Sequence, residues 1–193
     1  MQNEKELDEI VKHLKANLKT FHNSIFPTSA GIYAIGFDGN EFPLASATHI
    51  KKGDIIYLGK AETDLKTRDI KTHLKTGRSG SSTLRRSLGA ILKELTPIPR
   101  SCKENSSKRF TNYKFTSDGE QKLTDWMKTN LSLSYWKWKG SIPDLREMEV
   151  KIIKKVCPIL NIQNNPNNDW ISEVRDLRTV CRESAEENKN LCK

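Results

Sequence analysis

Two short apolar runs, residues 31–37 and 55–59, constrain the fold of this chain more than any other feature. Both have strand length, carry isoleucine and aromatic side chains, and stand between turn-forming stretches. Neither is long enough for an ordinary helix. The first opens Gly31-Ile32-Tyr33 and the second closes Tyr57-Leu58-Gly59-Lys60. Two tyrosines at the same end of two neighbouring strands can lie side by side, their hydroxyls reaching one pocket.

Much of the rest reads as helix. Leu7, Ile10, Val11, Leu14 and Leu18 recur at spacings of three and four, which predicts an apolar stripe on a helix over 4–21. That stripe needs a surface to cover, and the sheet is expected to supply it. Phe37-Asp38-Gly39-Asn40 marks a turn, and residues 41–54 are expected to add a strand or hairpin. Thr63 or Asp64 caps a helix running to about Thr76 and ended by Gly77; another helix spans 82–95 and stops before Pro97. Residues 99–108 read as loop and 110–115 as strand. Ser117 and Glu120 form a capping box ahead of Leu123, Trp126, Met127 and Leu131. Residues 133–139 alternate as a strand. Ser141 and Pro143 begin a helix through Val156, and residues 170–186 form a last amphipathic helix.

Charge is concentrated. Residues 51–116 hold 16 Lys/Arg against 6 Asp/Glu, an excess of ten, while the whole chain carries a formal net charge of +9. Such a basic region suits a polyphosphate partner, because neutralised phosphates release counterions; a solvated lysine-rich surface is the other reading. No apolar run approaches the roughly 18 residues of a membrane span, and no basic-then-apolar leader opens the chain. The expected compartment is the cytoplasm, with no membrane partner. Cys102, Cys157, Cys181 and Cys192 form no CxxC pair and are expected to be reduced and partly buried.

Several residues could serve phosphodiester hydrolysis, which needs a base, cations and a carboxylate for a metal. A phenol with a pKa near 10 acts as a base only beside cations. Lys60, three residues after Tyr57, and Arg68, 11 residues after it, are candidates. The Arg68 guanidinium offers a planar fork matching phosphate oxygens. His73 stands at the fifth position after Arg68, displaced by about 100° from the ideal helical neighbour. Glu149 lies on the fifth helix of this reading, and Asn161 follows it by 12 positions, beyond Pro158. One carboxylate without a second points to a single hard cation with a mostly water shell, as magnesium prefers. In residues 81–87, Ser82 opens a helix whose first turn carries Arg85 and Arg86. Two cations at a helix N-terminus are unfavourable unless an anion is near. Together with Arg78 they are expected to contact a nucleic-acid backbone; for the arginine pair, a structural ion pair is the other reading. Tyr135, Trp136 and Trp138 are either half core or a stacking surface for bases.

The ordered tyrosine pair, Lys60, Arg68 and the stretch from Glu149 to Asn161 together resemble the GIY-YIG nuclease superfamily. The resemblance covers roughly residues 31–161. It implies an α+β fold, a small mixed or antiparallel central sheet flanked by helices. Residues 1–28 then form an N-terminal helical extension, 29–163 the nuclease-like domain, and 164–193 a C-terminal helix packing on it. It implies a metal-dependent endonuclease acting on DNA, of stand-alone type with restriction or defence as the suggested role, and with Mg2+ or another divalent cation as cofactor. A non-catalytic DNA-binding module and an RNA-directed nuclease or toxin are the alternatives. It assigns catalytic roles to Tyr33, Tyr57, Lys60, Arg68, His73, Glu149 and Asn161, with Glu149 as metal ligand. Lys60, Arg78, Ser82, Arg85 and Arg86 would touch the nucleic acid. Tyr33 is favoured as the base, on the expectation that its strand sets it beside Glu149.

Overall fold

A computed structural model of the chain describes residues 2–20, 27–68, 73–103 and 112–192. It is α+β. Two compact units form, each from two stretches of chain: Met1–Asp69 with Lys128–Ile171, and Ile70–Met127 with Ser172–Lys193.

The first unit holds a four-stranded antiparallel sheet of order β1-β6-β2-β3, where β1 is Lys19–Thr20, β2 Gly31–Phe37, β3 Ile55–Ala61 and β6 Leu131–Lys137. β2 pairs on both edges and all seven of its residues are buried, which explains why it reads as a continuous apolar run. Its register matches Tyr33 to Gly59 and Ile35 to Tyr57 on β3, and Tyr33 to Tyr135 on β6. The register then shifts, so that Gly36 faces Ile55 and one extra residue of β3 is accommodated. α1 (Gln2–Ala16) and α5 (Ile142–Val156) cover one face. Ile10 and Leu14 of α1 meet Leu145, Met148, Ile152 and Ile153 of α5 over Ile32, Ala34 and Leu58. The stripe on the first helix therefore covers the sheet, as its spacing required. Truncating Ile10 or Leu14 to alanine would cost about 2–5 kcal/mol.

The second unit contains α3 (Thr83–Leu92), a two-stranded sheet of β4 (Pro97–Pro99) and β5 (Tyr113–Phe115), and most of α6 (Ile171–Glu187). α4 (Ser117–Asn130) begins in this unit and runs into β6.

Several expectations need correction. Residues 38–54 form turns and no strand: Ala47 N–H donates to Leu44 O and Ile50 N–H to Ala47 O. Their apolar side chains, Phe42, Leu44 and Ala47, are buried all the same. α1 stops at Ala16, and β1 follows within the stretch expected to be helical. The loop reading of residue 99 misses β4. The Ser117 capping box does not form. Thr116 caps instead, its Oγ1 accepting from Gly119 N–H, while Glu120 turns inward. The helix expected over 63–76 appears as α2 (Leu65–Arg68) and a π-type turn at His73 and Leu74, with 69–72 outside the described residues. Phe110 also lies outside them. Cys102 and Cys192 are joined in a disulfide, contrary to the expectation of four reduced thiols; Cys157 and Cys181 are free. The two bonded cysteines are 90 residues apart, so no local spacing announces them.

Candidate active site

The glycine of the second tyrosine segment is there because of the tyrosine of the first. Gly59 sits opposite Tyr33 across the β2–β3 ladder. A Cβ built on Gly59 would collide with the Tyr33 ring, so the ring lies against bare backbone. Tyr57 is two residues along on the same face. Its ring centroid is 6.3 Å from that of Tyr33 and tilted by 36°. The tyrosines are diagonal neighbours, with Tyr33 1% and Tyr57 9% exposed.

Strand alternation separates these rings from α5. Ile32, Ala34 and Leu58 point toward α1 and α5, so Tyr33 and Tyr57 point to the other face. The expectation that Tyr33 stands beside Glu149 therefore fails: α5, which carries Glu149, covers the face that Tyr33 points away from. Lys60, opposite Ile32, has the right parity. Its ammonium forms an ion pair with Glu149 Oε2, the two side chains being 25% and 12% exposed.

α5 presents Glu149 because its ends and buried face are fixed by local sequence. Ser141 Oγ accepts from Asp144 N–H at the N-terminus, and Pro143 fits the first turn. Cys157 closes the C-terminus in a left-handed conformation. Leu145, Met148, Ile152 and Ile153 bury one face, and Glu149 lies at its margin. A second ion pair ties the same elements: Arg146 Nη2 and Nε donate to Glu62 at 2.7 and 2.8 Å. This hydrogen bond and the Arg146 charge hold the Glu62 carboxyl below its usual range.

Past α5 the chain returns to the outer edge of β3. Leu160 N–H donates to Ile56 O at 3.0 Å. Asn161 Oδ1 accepts from Leu58 N–H at 2.8 Å and its Nδ2 donates to Leu58 O at 2.9 Å. Asn161 is thus buried against the backbone of Leu58, the residue between Tyr57 and Gly59 in sequence. Asn165 and Asn168, absent from the candidate residues read in the sequence, hold this return in place. Their amides donate to Pro158 O, Ile159 O and Asn161 O. Their density in the stretch 161–168 is the signal that was available.

The remaining candidates are distributed. Arg68 ends α2; its side chain lies outside the described residues. His73, in the second unit, is buried, with Nδ1 2.7 Å from Ser82 Oγ. His73 and Leu74 lie in a π-type turn. Arg78 is exposed.

Ser82 and the two following arginines are internal, which corrects the expectation that they touch a nucleic-acid backbone. Ser82 caps α3, accepting from Arg85 N–H. Arg85 is 0% exposed and paired at 2.8 Å with Glu120, and it also donates to Ser79 Oγ, Thr124 Oγ1 and His73 O. Burial pulls the guanidinium pKa down, and Glu120 opposes that shift. Glu120 further accepts from Gly77 N–H and Ser79 N–H. Arg86 is buried as well, donating to Ser79 O. The anion that two arginines in a first turn demand is, for Arg85, a side chain of the protein itself. The basic excess of 51–116 therefore overstates the charge facing solvent.

The donor set bears on a metal. Among the described residues no group of three or more His, Cys, Asp or Glu gathers as a cation cage. Glu149 alone, partly exposed and already holding a cationic group, fits a hard ion that keeps most of its water. Among the described residues no helix is long and apolar enough to cross a membrane.

A family model of the GIY-YIG catalytic domain matches residues 31–180. The match takes in both tyrosines, Lys60, Arg68, His73, Glu149 and Asn161. No curated protein matches the chain. With most of its length under that match and an antiparallel sheet carrying the two tyrosine segments, the chain belongs to the GIY-YIG family of nuclease-type catalytic domains.

Proposed function

We propose that this protein is a metal-dependent endonuclease that hydrolyses DNA phosphodiester bonds. The observation that carries the reading is the Lys60–Glu149 ion pair, held between β3 and α5 in a unit that also holds Tyr33 and Tyr57. It joins the carboxylate and a cation of the required set. A nucleic-acid substrate suits the strongly basic chain, with a net charge of +9, and DNA is the substrate class proposed from the resemblance.

In this reading Glu149 holds one divalent cation, Mg2+ by donor chemistry, which supplies Lewis-acid stabilisation of phosphoryl charge. Lys60 contributes a second positive charge to the non-bridging oxygens, and Arg68 a bidentate fork. A tyrosine takes the proton of the attacking water. Alternation turns both phenols to the face away from Glu149, so that ground does not separate them, and the role goes to Tyr57 as the less buried of the two. Tyr33 packs on Gly59 and keeps the Tyr57 strand in register. Asn161 holds Leu58 and so positions Tyr57; Ser82 holds the His73 ring.

The test is cleavage of plasmid DNA, single-stranded DNA and RNA by wild type and Glu149→Ala, with Mg2+ or with EDTA. Mg2+-dependent nicking of DNA by wild type alone is the expected result. Cleavage of RNA only would overturn the substrate class. A folded protein that binds DNA and cleaves nothing would be a non-catalytic relative.

A further inference from the structure

We infer that the Lys60 ammonium is an internal counterion that must leave Glu149 before a metal ion can enter, so that cation binding and phosphate binding are coupled through one side chain. The inference rests on the reading of Glu149 as the metal carboxylate.

Lys60 is directed onto α5 by strand parity, and its ammonium contacts Glu149 Oε2. The pair is only partly exposed, so solvent screens it less than a surface pair. An ammonium and a hydrated divalent cation compete for the same oxygen, and no caged alternative exists among the described residues. A lone carboxylate is a weak cation site, and a resident ammonium weakens it further. A phosphate oxygen changes that balance. It offers Lys60 a charge-assisted partner, and the carboxylate left behind then favours the metal. By linkage the effect is reciprocal: metal at Glu149 releases Lys60 toward phosphate.

The surrounding structure lets this happen without loosening the fold. β3 is tied to α5 by Glu62–Arg146, and to the chain after α5 by Leu58–Asn161. Neither tie uses Lys60 as a hydrogen-bond partner, so exchange requires motion of one flexible side chain only. The enzyme would then hold little metal when empty and load it together with its substrate.

The experiment measures Mn2+ binding to the full chain by electron paramagnetic resonance, without nucleic acid, in wild type, Lys60→Met, Lys60→Gln, Lys151→Met and Glu149→Gln. Lys151 is the control for simple loss of charge, because it lies on α5 but pairs with Glu147. Thermal melts establish that each variant is folded. Both Lys60 variants should bind Mn2+ at least about fivefold more tightly, the lower end of ordinary coupling, while Lys151→Met does not. Equal tightening by Lys151→Met, or none in either Lys60 variant, would overturn the coupling. Nitrogen-15 resonances of the lysine ammonium groups give a second readout. The Lys60 signal should shift on adding Mg2+, and also on adding a short DNA duplex in EDTA. A Lys60 signal unmoved by saturating Mg2+ would also overturn it. Unaltered Mn2+ binding in Glu149→Gln would instead remove the metal assignment itself, a different failure from the first.

Discussion

Asn161 replaces a neighbouring strand for Leu58: its Oδ1 accepts from the Leu58 N–H and its Nδ2 donates to the Leu58 carbonyl. β3 is the last strand in the sheet order, and this side chain satisfies part of its outer edge. Asn161→Ala leaves two buried backbone groups unsatisfied and should cost about 1–3 kcal/mol in urea unfolding. Because Tyr57 and Gly59 flank Leu58, turnover should fall as well. A destabilised variant with wild-type turnover would reduce Asn161 to a structural clamp.

Glu149→Ala should abolish cleavage while DNA affinity, followed by fluorescence anisotropy, stays the same or rises, since a carboxylate facing phosphate is lost. Full Mg2+-dependent activity in this variant would end the assignment.

Arg85 should matter for folding and not for DNA. Arg85→Ala strands a buried Glu120 and should cost about 3–5 kcal/mol in chemical denaturation. The pair Arg85→Met with Glu120→Leu should restore part of that loss. Arg78 is the exposed cation of the set, so Arg78→Ala should weaken DNA binding and lower the salt slope by about 1. A stable Arg85→Ala protein with reduced DNA affinity would reverse these roles.

The Cys102–Cys192 bond joins two residues of the second unit that are 90 positions apart in the chain, closing a long loop. In the chain-entropy account such a loop contributes up to about 4–5 kcal/mol. Dithiothreitol should lower the melting temperature, and thiol titration of the unfolded, unreduced protein should find the two free cysteines, Cys157 and Cys181. Four titrating thiols in protein purified under oxidising conditions would mean that the bond does not form.

For the tyrosines, Tyr57→Phe should lower turnover about 10²–10⁴-fold, the usual worth of a positioned base, and remove the rise of rate with pH that a titrating base produces. Tyr33→Phe keeps the ring over Gly59 and should have the smaller effect. If Tyr33→Phe shows the larger loss, the two roles exchange.

Periodicity made the helices and main strands legible. The stripe of Leu7, Ile10 and Leu14 and the alternation in β6 are properties of neighbouring residues, and neighbours are what a sequence displays. β4 was hidden because Pro97 and Pro99 leave only Ile98 with an N–H to give. In residues 41–54, buried Phe42 and Leu44 have strand-like spacing, yet successive turns carry them inward. The candidate site was legible as residue types in order. Its faces were not: only the pleat separates Lys60 from Tyr57, and only the distant Glu120 turns Arg85 from a surface cation into an interior one. The Ser82 cap was visible, but not that its hydroxyl also meets His73.

The strand order has a consequence for how the protein is made. β2 and β3 can form a hairpin as soon as both have left the ribosome, but β6, which covers the other edge of β2, begins 70 residues after β3 ends. At 5–20 residues per second that is an interval of roughly 4–14 s. Throughout it the most apolar strand of the chain, Gly-Ile-Tyr-Ala-Ile-Gly-Phe, carries an open hydrogen-bonding edge. Loss of solubility during synthesis is therefore expected to begin at β2, and slower translation between β3 and β6 would worsen it.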